Sequence, residues 1–328
     1  MRGTILLALA LAALAATAVS LAGAPTPTLV ARAVIPADTF APGPVSGQFI
    51  TGGLRPHPFP SQPFQGISAV LAAEPGSFWV MEDNGYGAKD NSADFLLRMY
   101  HVTPDWETDK GGPGTVAIGS FIQLHDPDHR IPWPIVNSTG DRPLTGADFD
   151  IESVRKAKDG TLWFGDEFGP FLVHTDADGK VLEAPISLPG VKSPQNPTLA
   201  AGETPNLPRS RGFEGMALSK DGRTLYPMLE GALTTDPDQR HRVIYEFDLR
   251  TEEYTGRTWN VEFAAPANSL GDLTALDEHR LLMISATRPP GLPRRSSVSS
   301  CSICVTSATT ASWSSARSST SWTSRIRT

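Results

Sequence analysis

Short apolar runs separated by turn residues, rather than long amphipathic repeats, dominate the chain between residues 64 and 284. The runs are rich in β-branched and aromatic residues, and Asp-Gly or Pro-Gly pairs interrupt them. Both features are typical of antiparallel strands joined by tight turns, because such pairs readily adopt the backbone angles that turns require. The pattern therefore predicts an all-β domain over 64–284.

One arrangement occurs four times in this region: a polar or acidic residue, an apolar strand, a turn, a second apolar strand and another polar position. The copies lie at 65–85, 148–167, 212–230 and 271–285. Two further strand-like runs follow each of the first three copies, which gives four strands per unit. Repeated four-stranded units predict a β-propeller, in which four-stranded blades are arranged around a central axis.

The first residues have the order of a secretory signal. One positive charge, on Arg2, precedes an apolar run from Ile5 to Leu21, and small residues follow up to Ala24. We expect a signal peptide over 1–24 and a protein that is secreted or located in the periplasm or cell envelope. A retained membrane anchor is the alternative. Residues 25–63 are rich in Pro and Gly and are expected to form an extended lead-in.

The charge of the chain limits its partners. The sequence holds 35 acidic and 28 basic side chains, for a net charge of −7. Nucleic acids and anionic membrane surfaces require a dense basic footprint, so neither is an expected partner once the signal is cleaved. A metal cation and a small-molecule substrate fit this charge better, and we expect a monomer.

The last 44 residues have a different composition from the rest. They contain six Arg, 14 Ser and 7 Thr but no Asp, Glu or Lys. We interpret 285–328 as an aberrant, disordered tail, produced by a reading-frame shift near Ile284. The propeller would then be incomplete at its C-terminus. The lone pair of Cys301 and Cys304 in this tail is weak evidence for a redox or metal site.

Several motifs in the repeats resemble those of one known family. They are Met81–Gly87, Asp148–Ser153, Gly165–Pro170 and Arg211–Ala217. Over about 60–284 the chain is similar to the phytase-like family described as having esterase-like activity of phytase. The resemblance implies an exported bacterial protein with a propeller-like fold. It carries much less information about the substrate.

Acidic residues recur at corresponding places in the units. Because equivalent strands surround one axis in a propeller, these carboxylates are expected to approach one another and to require a cation. Ca²⁺ accepts many hard oxygen ligands in flexible geometry and is the expected cofactor. The predicted metal ligands are Glu82, Asp83, Asp150, Glu152, Asp166, Glu230 and Asp272.

The resulting hypothesis is metal-assisted hydrolysis of a phosphate or related ester. Glu214, Arg211 and Glu167 are the candidate catalytic residues, and Arg155 is a second candidate phosphate clamp, because a guanidinium group can bind two oxygens at once. The alternative is a non-catalytic propeller that binds a ligand or an envelope protein, with acids that cap strands and pair with arginines. The sequence contains no G-x-S-x-G elbow of a serine hydrolase.

Two histidines and one acidic loop are interpreted without a functional role. His101 and His174 lie in strand-like runs and are predicted to be packed or surface residues rather than catalysts. The segment 176–179 has part of the pattern of a calcium loop but lacks its later acids, so it predicts a hairpin turn.

Overall fold

Four sheets of four antiparallel strands account for most of the fold. The structure is a computed structural model that describes residues 29–53, 55–287, 300–309 and 312–316. The predicted signal peptide, 1–24, lies outside these residues, as does the remainder of the predicted tail. All the elements below belong to the unit Ala31–Thr328.

The strands up to residue 123 form the first blade and two small sheets. In chain order they are β1 (Ala31–Arg32), β2 (Phe40–Ala41), β3 (Gln62–Pro63), β4 (Ile67–Ala72), β5 (Phe78–Glu82), β6 (Arg98–Asp105), β7 (Glu107–Thr108) and β8 (Thr115–Gln123), with one 3-10 turn at Lys89–Asn91. Blade 1 has the order β4-β5-β6-β8, while β1 pairs with β7 and β2 with β3. The predicted lead-in therefore contributes paired strands beside the first blade.

The remaining strands form three further blades. They are β9 (Ile151–Lys156), β10 (Leu162–Asp166), β11 (Phe171–Thr175) and β12 (Ile186–Ser187) in blade 2; β13 (Phe213–Leu218), β14 (Thr224–Leu229), β15 (His241–Asp248) and β16 (Glu253–Glu262) in blade 3; and β17 (Ser269–Ala275), β18 (Arg280–Thr287), β19 (Ser300–Thr309) and β20 (Ser312–Ala316) in blade 4.

The first strands of the blades surround a common axis. Strand β9 contacts both β4 and β13, and β13 contacts β17, which also approaches β4 over a shorter stretch. The prediction of an all-β propeller with four-stranded blades is confirmed. The ends of these inner strands define the two mouths of the axis, and the predicted functional acids lie at the mouth where the inner strands begin.

Apolar side chains between adjacent blades form the core. Every residue of β10 and β11 is buried, because both faces of this sheet pack against neighbouring blades. Phe164 lies in the apolar cluster shared with blade 1, whereas Trp163 lies in the cluster shared with blade 3. Alternate residues of one strand thus stabilise two different interfaces, as the period of a β-strand requires.

Two strands lie inside the segment that we interpreted as a disordered tail. The backbone of β19 pairs with β18 over Ser300–Ser307, and β20 pairs with β19. The backbone therefore extends past residue 284 into a fourth four-stranded sheet. The domain boundaries, the incompleteness of the propeller and the origin of the tail stay predictions.

Candidate functional site

Each inner strand begins with a β-bulge, and the bulges define one equivalent position in all four blades. The pairing between the first two strands skips one residue in every blade. The skipped residues are Ser68, Glu152, Glu214 and Gly271. A bulged residue is released from the ladder, which re-aims its side chain. Blades 2 and 3 thus supply a carboxylate at this position, blade 1 a hydroxyl group and blade 4 no side chain.

A second equivalent position directly follows the second strand of a blade. It holds Asp83, Glu167 and Glu230 in blades 1 to 3. Each of these residues donates its backbone N–H to the carbonyl oxygen just before the inner strand, over 2.7 to 2.9 Å. The shared hydrogen bond places the three carboxylates at the same mouth of the axis.

The residue that accepts this bond differs between blades. It is Gly66 in blade 1, Gly212 in blade 3 and Asp150 in blade 2, which adds one more carboxylate. A Cβ at Gly212 would lie 2.6 Å from the Cα of Glu167, and a Cβ at Gly66 would lie 2.2 Å from the Oδ1 of Asp83. The two glycines therefore permit the close approach of the acidic segments.

The carboxylates form two groups that share one member. One ligand oxygen from each of Asp150, Glu152 and Glu167 lies within 4.8 Å of the others, and Glu167, Glu214 and Glu230 meet the same limit. The Oδ1 of Asp150 and the Oε1 of Glu167 are buried, and neither has a hydrogen-bond partner among the described residues. We call these five acids the axial carboxylate cluster, together with Asp83, which lies in neither group but whose charge acts on Asp150, Glu152 and Glu214.

Burial and mutual repulsion raise the pKa values within the axial carboxylate cluster. The pKa of Glu152, Glu167 and Glu214 lies well above the usual range, first because of desolvation and then because of neighbouring carboxylates. Desolvation, with the charges of nearby acids, raises the pKa of Asp150 to about 7, and burial raises that of Asp83 to about 6. Full ionisation of the cluster therefore destabilises the folded protein, and a bound cation would offset this destabilisation.

A basic group lies beside the axial carboxylate cluster. Arg211 forms an ion pair with Glu230, and its side chain is 45% exposed. Both residues line a cavity of about 180 Å³ together with Arg242. The guanidinium group of Arg242 donates to four backbone carbonyl groups. Arg211 can therefore reach a solute, whereas Arg242, which the sequence analysis missed, holds the surrounding loops.

Glu82 and Asp166, two of the predicted metal ligands, lie in neither three-acid group. The Oε1 of Glu82 accepts the backbone N–H of Gln65 at 3.0 Å. The Oδ1 of Asp166 accepts the N–H of Asp150 at 2.8 Å, and its Oδ2 accepts that of Gly169 at 2.7 Å. Both carboxylates bind the segment that enters an inner strand, while the buried Oε2 of Glu82 has no hydrogen-bond partner among the described residues. Burial raises the pKa of Glu82 to about 9 and that of Asp166 to about 6.

Asp272 does not occupy the place that sequence comparison assigned to it. The bulge of blade 4 lies at Gly271, so Asp272 is offset by one residue from Glu152 and Glu214. Its Oδ1 lies 2.9 Å from Arg155, which also donates to the carbonyl oxygen of Leu273. An offset of one residue turns a side chain to the other face of a strand. Arg155, which we considered as a phosphate clamp, is therefore engaged in this ion pair.

The structure agrees with the interpretation of the histidines and the acidic loop. The ring of His174 stacks on Trp163 at 3.9 Å, and that of His101 contacts Trp79 edge-on at 5.3 Å. The Oδ1 of Asp176 accepts backbone N–H groups within its own turn, as expected for a hairpin.

Sequence reasoning missed two groups that contact the axial carboxylate cluster. The side chain of Ser68 lies near Glu152 and the backbone of Asn84 near Asp150, and each partly counteracts the rise in the pKa of that carboxyl group. The position of Ser68 in the repeat, equivalent to that of Glu152, was the available signal. The proximity of Asn84 to Asp150 depends on contact between blades, for which the sequence holds no local signal.

A second cavity lies where three inner strands end and extends between blades 1 and 2. It has a volume of about 530 Å³ and is lined by Ala72, Lys156 and Leu218, which end their inner strands, and by apolar residues that include Trp79 and Met99. None of the axial carboxylates lines it. Among the residues that the structure describes, no helix is long and apolar enough to cross a membrane.

Similarity to a curated protein covers part of the chain. A protein of Arthroderma benhamiae, described as an uncharacterized secreted protein, is 28% identical over 130 residues, which are 32% of this chain. The match spans a quarter of the length of that relative.

Similarity to solved structures covers more of the chain at lower identity. A protein from Lactobacillus plantarum matches with a TM-score of 0.37 and 12% identity, over 79% of this chain and 58% of that one. A luciferin-regenerating enzyme matches with a TM-score of 0.35 and 13% identity, over 75% and 60% of the two chains. The periplasmic gluconolactonase of Pseudomonas aeruginosa matches with a TM-score of 0.31 and 14% identity, over 77% and 84%.

The family comparison covers most of the chain. The matched residues are 62–319, which include all four blades and extend past Ile284. The match beyond Ile284 gives no support to a frame shift at that point. The resemblance seen in the repeated motifs is confirmed, and the chain belongs to the phytase-like family, described as having esterase-like activity of phytase.

Proposed function

We propose that this protein is an exported, Ca²⁺-dependent hydrolase of phosphate or related esters, with its site at the axial carboxylate cluster. The observation that carries the proposal is the pair of three-acid groups that share Glu167. The unpartnered buried oxygens of Asp150 and Glu167 add to it, because carboxylates are not normally buried without partners. Family membership supports an ester as the substrate.

The donor set favours Ca²⁺ over softer metals. Every candidate ligand in the axial carboxylate cluster is a carboxylate oxygen, and neither His nor Cys belongs to either group. Ca²⁺ accepts about six to eight oxygen ligands in flexible geometry, whereas Zn²⁺ favours nitrogen and sulfur. The single positive charge of the neighbouring Arg211 is also too small to neutralise the carboxylates of the cluster when they are ionised.

Three residues at the site would have separate roles in hydrolysis. Arg211, partly exposed and beside the cluster, is placed to bind two oxygens of a phosphoryl group. Glu214, whose pKa is raised by burial, is placed to transfer a proton to or from the reacting group. Glu167 belongs to both groups and would hold them together. Bound Ca²⁺ would supply charge stabilisation and lower the pKa of an attacking water.

The proposal of export depends on two independent facts. The residues that precede Pro25 have the order of a secretory signal, and the curated relative is described as secreted.

A non-catalytic binding propeller is the second candidate. It is favoured by the acids that serve structure, since Glu82 and Asp166 bind backbone N–H groups and Asp272 pairs with Arg155. In that case the axial carboxylate cluster would bind a cation that holds the blades together, and Arg211 would only neutralise Glu230.

Hydrolysis of a phosphomonoester and phosphodiester panel, after chelation and after addition of Ca²⁺, tests the proposal. We expect activity only with Ca²⁺, and Glu214→Gln and Arg211→Ala should each lower kcat/KM by about 10²-fold. Glu253→Gln is the matched control, because it removes one charge from an exposed acid of the same blade. A Ca²⁺-dependent rise in Tm without hydrolysis would support the binding propeller instead.

A further inference from the structure

The cavity of about 530 Å³ between blades 1 and 2 is separate from the axial carboxylate cluster, because none of those acids lines it. We call it the interblade cavity. Its apolar walls come from Leu71, Trp79 and Met99 of blade 1 and from Leu162 of blade 2. Binding sites for small molecules are typically concave, mostly apolar and about 300–1,000 Å³ in volume. The interblade cavity therefore has the size and lining of a site for a small organic molecule.

The apolar core is incompletely covered at the interblade cavity. Leu71, Trp79 and Ile122 pack against the buried cluster shared by blades 1 and 2, but they are themselves only partly buried. All three line the cavity. A ligand with an apolar body would remove this surface from water, which is favourable.

The equivalent space between blades 2 and 3 is filled by an aromatic residue. Trp79 and Trp163 are each the second residue of the second strand in their blades. Trp163 contacts Phe247 of blade 3, with ring centroids 5.3 Å apart. The register of the strands makes Thr175 the residue of blade 2 that is equivalent to Phe247. Threonine is much smaller than phenylalanine, so blade 2 leaves Trp79 without the cover that blade 3 gives to Trp163.

The indole ring of Trp79 also lacks the stacked neighbour that Trp163 has. The ring of His174 lies nearly parallel to Trp163, at 15° and with centroids 3.9 Å apart. His101, the equivalent residue of blade 1, is tilted by 64° from Trp79, and it is the one ring contact of Trp79 among the described residues. A flat aromatic ligand can supply the missing stacking partner.

Two cationic side chains line the interblade cavity, and they differ in their partners. Arg155 pairs with Asp272 at 2.9 Å. Lys156 is exposed and forms no ion pair with any residue that the structure describes. One acid, Glu74, also lines the cavity, but its side chain is 79% exposed and its Oε2 is bound to His101. The free ammonium group of Lys156 therefore favours an anionic group on the ligand.

We propose that the interblade cavity binds a small organic anion that consists of a flat aromatic body and one carboxylate. The aromatic body lies beside Trp79 in the space that Thr175 leaves open, and the carboxylate binds Lys156. The proposal does not depend on the proposed hydrolase function, because none of Glu214, Arg211 and Glu167 lines this cavity.

Calorimetric titration of the full-length, Ca²⁺-saturated protein with naphthoate tests the site. Naphthylmethanol, which has the same rings without the charge, is the matched probe. We expect one naphthoate per chain and weaker binding of naphthylmethanol. Lys156→Gln should lower the affinity for naphthoate by about 10-fold, the value of one hydrogen bond to a charged group, and leave that for naphthylmethanol unchanged. Lys158→Gln is the matched control, because it removes an exposed charge of blade 2 outside the cavity.

Filling the interblade cavity provides a second measurement. Ala72 is exposed, lines the cavity and ends β4, so Ala72→Phe places a ring in the binding space without disturbing the core. This variant should lower the affinity for both probes by about 10-fold or more. Ala117→Phe adds the same ring to an exposed position of β8 in the same blade and should bind both probes as the wild type does.

Three results would overturn the proposal. The first is the absence of naphthoate binding by the wild type, and the second is wild-type affinity in Lys156→Gln or in Ala72→Phe. The third is loss of naphthoate binding in Arg211→Ala with Lys156→Gln unaffected, which would assign the ligand to the smaller cavity beside Arg211. Equal affinity of the wild type for the two probes would contradict the contact between the carboxylate and Lys156.

Discussion

Buried carboxylates in this propeller occur in two different settings. Asp126 is fully buried, accepts the backbone N–H groups of Arg130 and Ile131 and pairs with Arg142 at 2.9 Å. The axial carboxylate cluster, in contrast, includes buried oxygens without partners and several acids within 4.8 Å of one another. Burial is similar in the two settings, but the supply of hydrogen-bond donors is not. Hydrogen-bond donors, rather than burial, therefore distinguish a structural acid from a candidate ligand.

The largest expected effect lies on the structural side. Asp126→Ala leaves the guanidinium group of Arg142 buried without its partner and should lower the free energy of unfolding by about 3–5 kcal/mol. Urea unfolding, in chelator and in Ca²⁺, provides the measurement. The loss of stability should be the same in both conditions. A loss that Ca²⁺ reverses would contradict the assignment of Asp126 as a structural acid.

The next effect concerns the cation response of the axial carboxylate cluster. At a concentration about 100 times its Kd, Ca²⁺ should stabilise the wild type by about 2.7 kcal/mol. The double variant Glu152→Gln, Glu214→Gln should lose this response, which thermal unfolding with and without Ca²⁺ measures. In chelator the variant should be at least as stable as the wild type, because two half-buried carboxyl groups that repel each other when ionised are removed. A Ca²⁺ response equal to that of the wild type would contradict the assignment.

The stability of the chelator-treated protein should depend on pH in a way that reports on the axial acids. The axial acids have pKa values raised in the folded state, to about 7 for Asp150 and about 6 for Asp83, whereas in the unfolded chain acids ionise near pH 4. The folded state therefore binds more protons, and stability should fall as pH rises from about 4 through 7.

Melting temperatures measured between pH 5 and 8 in chelator should show this fall. The surface acids whose pKa values are lowered, such as Asp159 and Asp221, should already be ionised throughout this range. Added Ca²⁺ should reduce the slope, because the ion binds the ionised carboxylates. A Tm that rises with pH in chelator would show that ionisation of the axial acids does not destabilise the folded protein.

The smallest effect is expected at the ion pair of Arg155 and Asp272. The side chain of Asp272 is 29% exposed, so Asp272→Asn should cost only about 1 kcal/mol or less. The Ca²⁺ response and the turnover should remain those of the wild type, as measured in the same thermal and hydrolysis assays. Loss of the Ca²⁺ response would indicate that Asp272 is a Ca²⁺ ligand, as the sequence predicted.

Much of this architecture could be predicted from the chain. Apolar alternation and repeated turns predicted four-stranded blades, and the recurrence of acids placed Glu152 beside Glu214 and Glu167 beside Glu230. These predictions succeeded because a strand alternates its faces with a period of two and because equivalent strands of a propeller meet at one axis. Where the repeat was regular, position in the sequence was sufficient to predict position in the fold.

The tertiary structure decided what each acid contacts. The bulge at Gly271 shifts Asp272 by one residue, which turns its carboxylate to Arg155. The N–H groups that satisfy Asp126, and the ring of His174 that Glu252 approaches, belong to segments whose proximity has no local signal. The chain alone was sufficient to identify the equivalent acids of blades 2 and 3, but not the equivalent residue of blade 4. A register shift of one residue and the packing of adjacent blades determined which carboxylates have partners, because hydrogen bonds and repulsion depend on distances of a few ångströms.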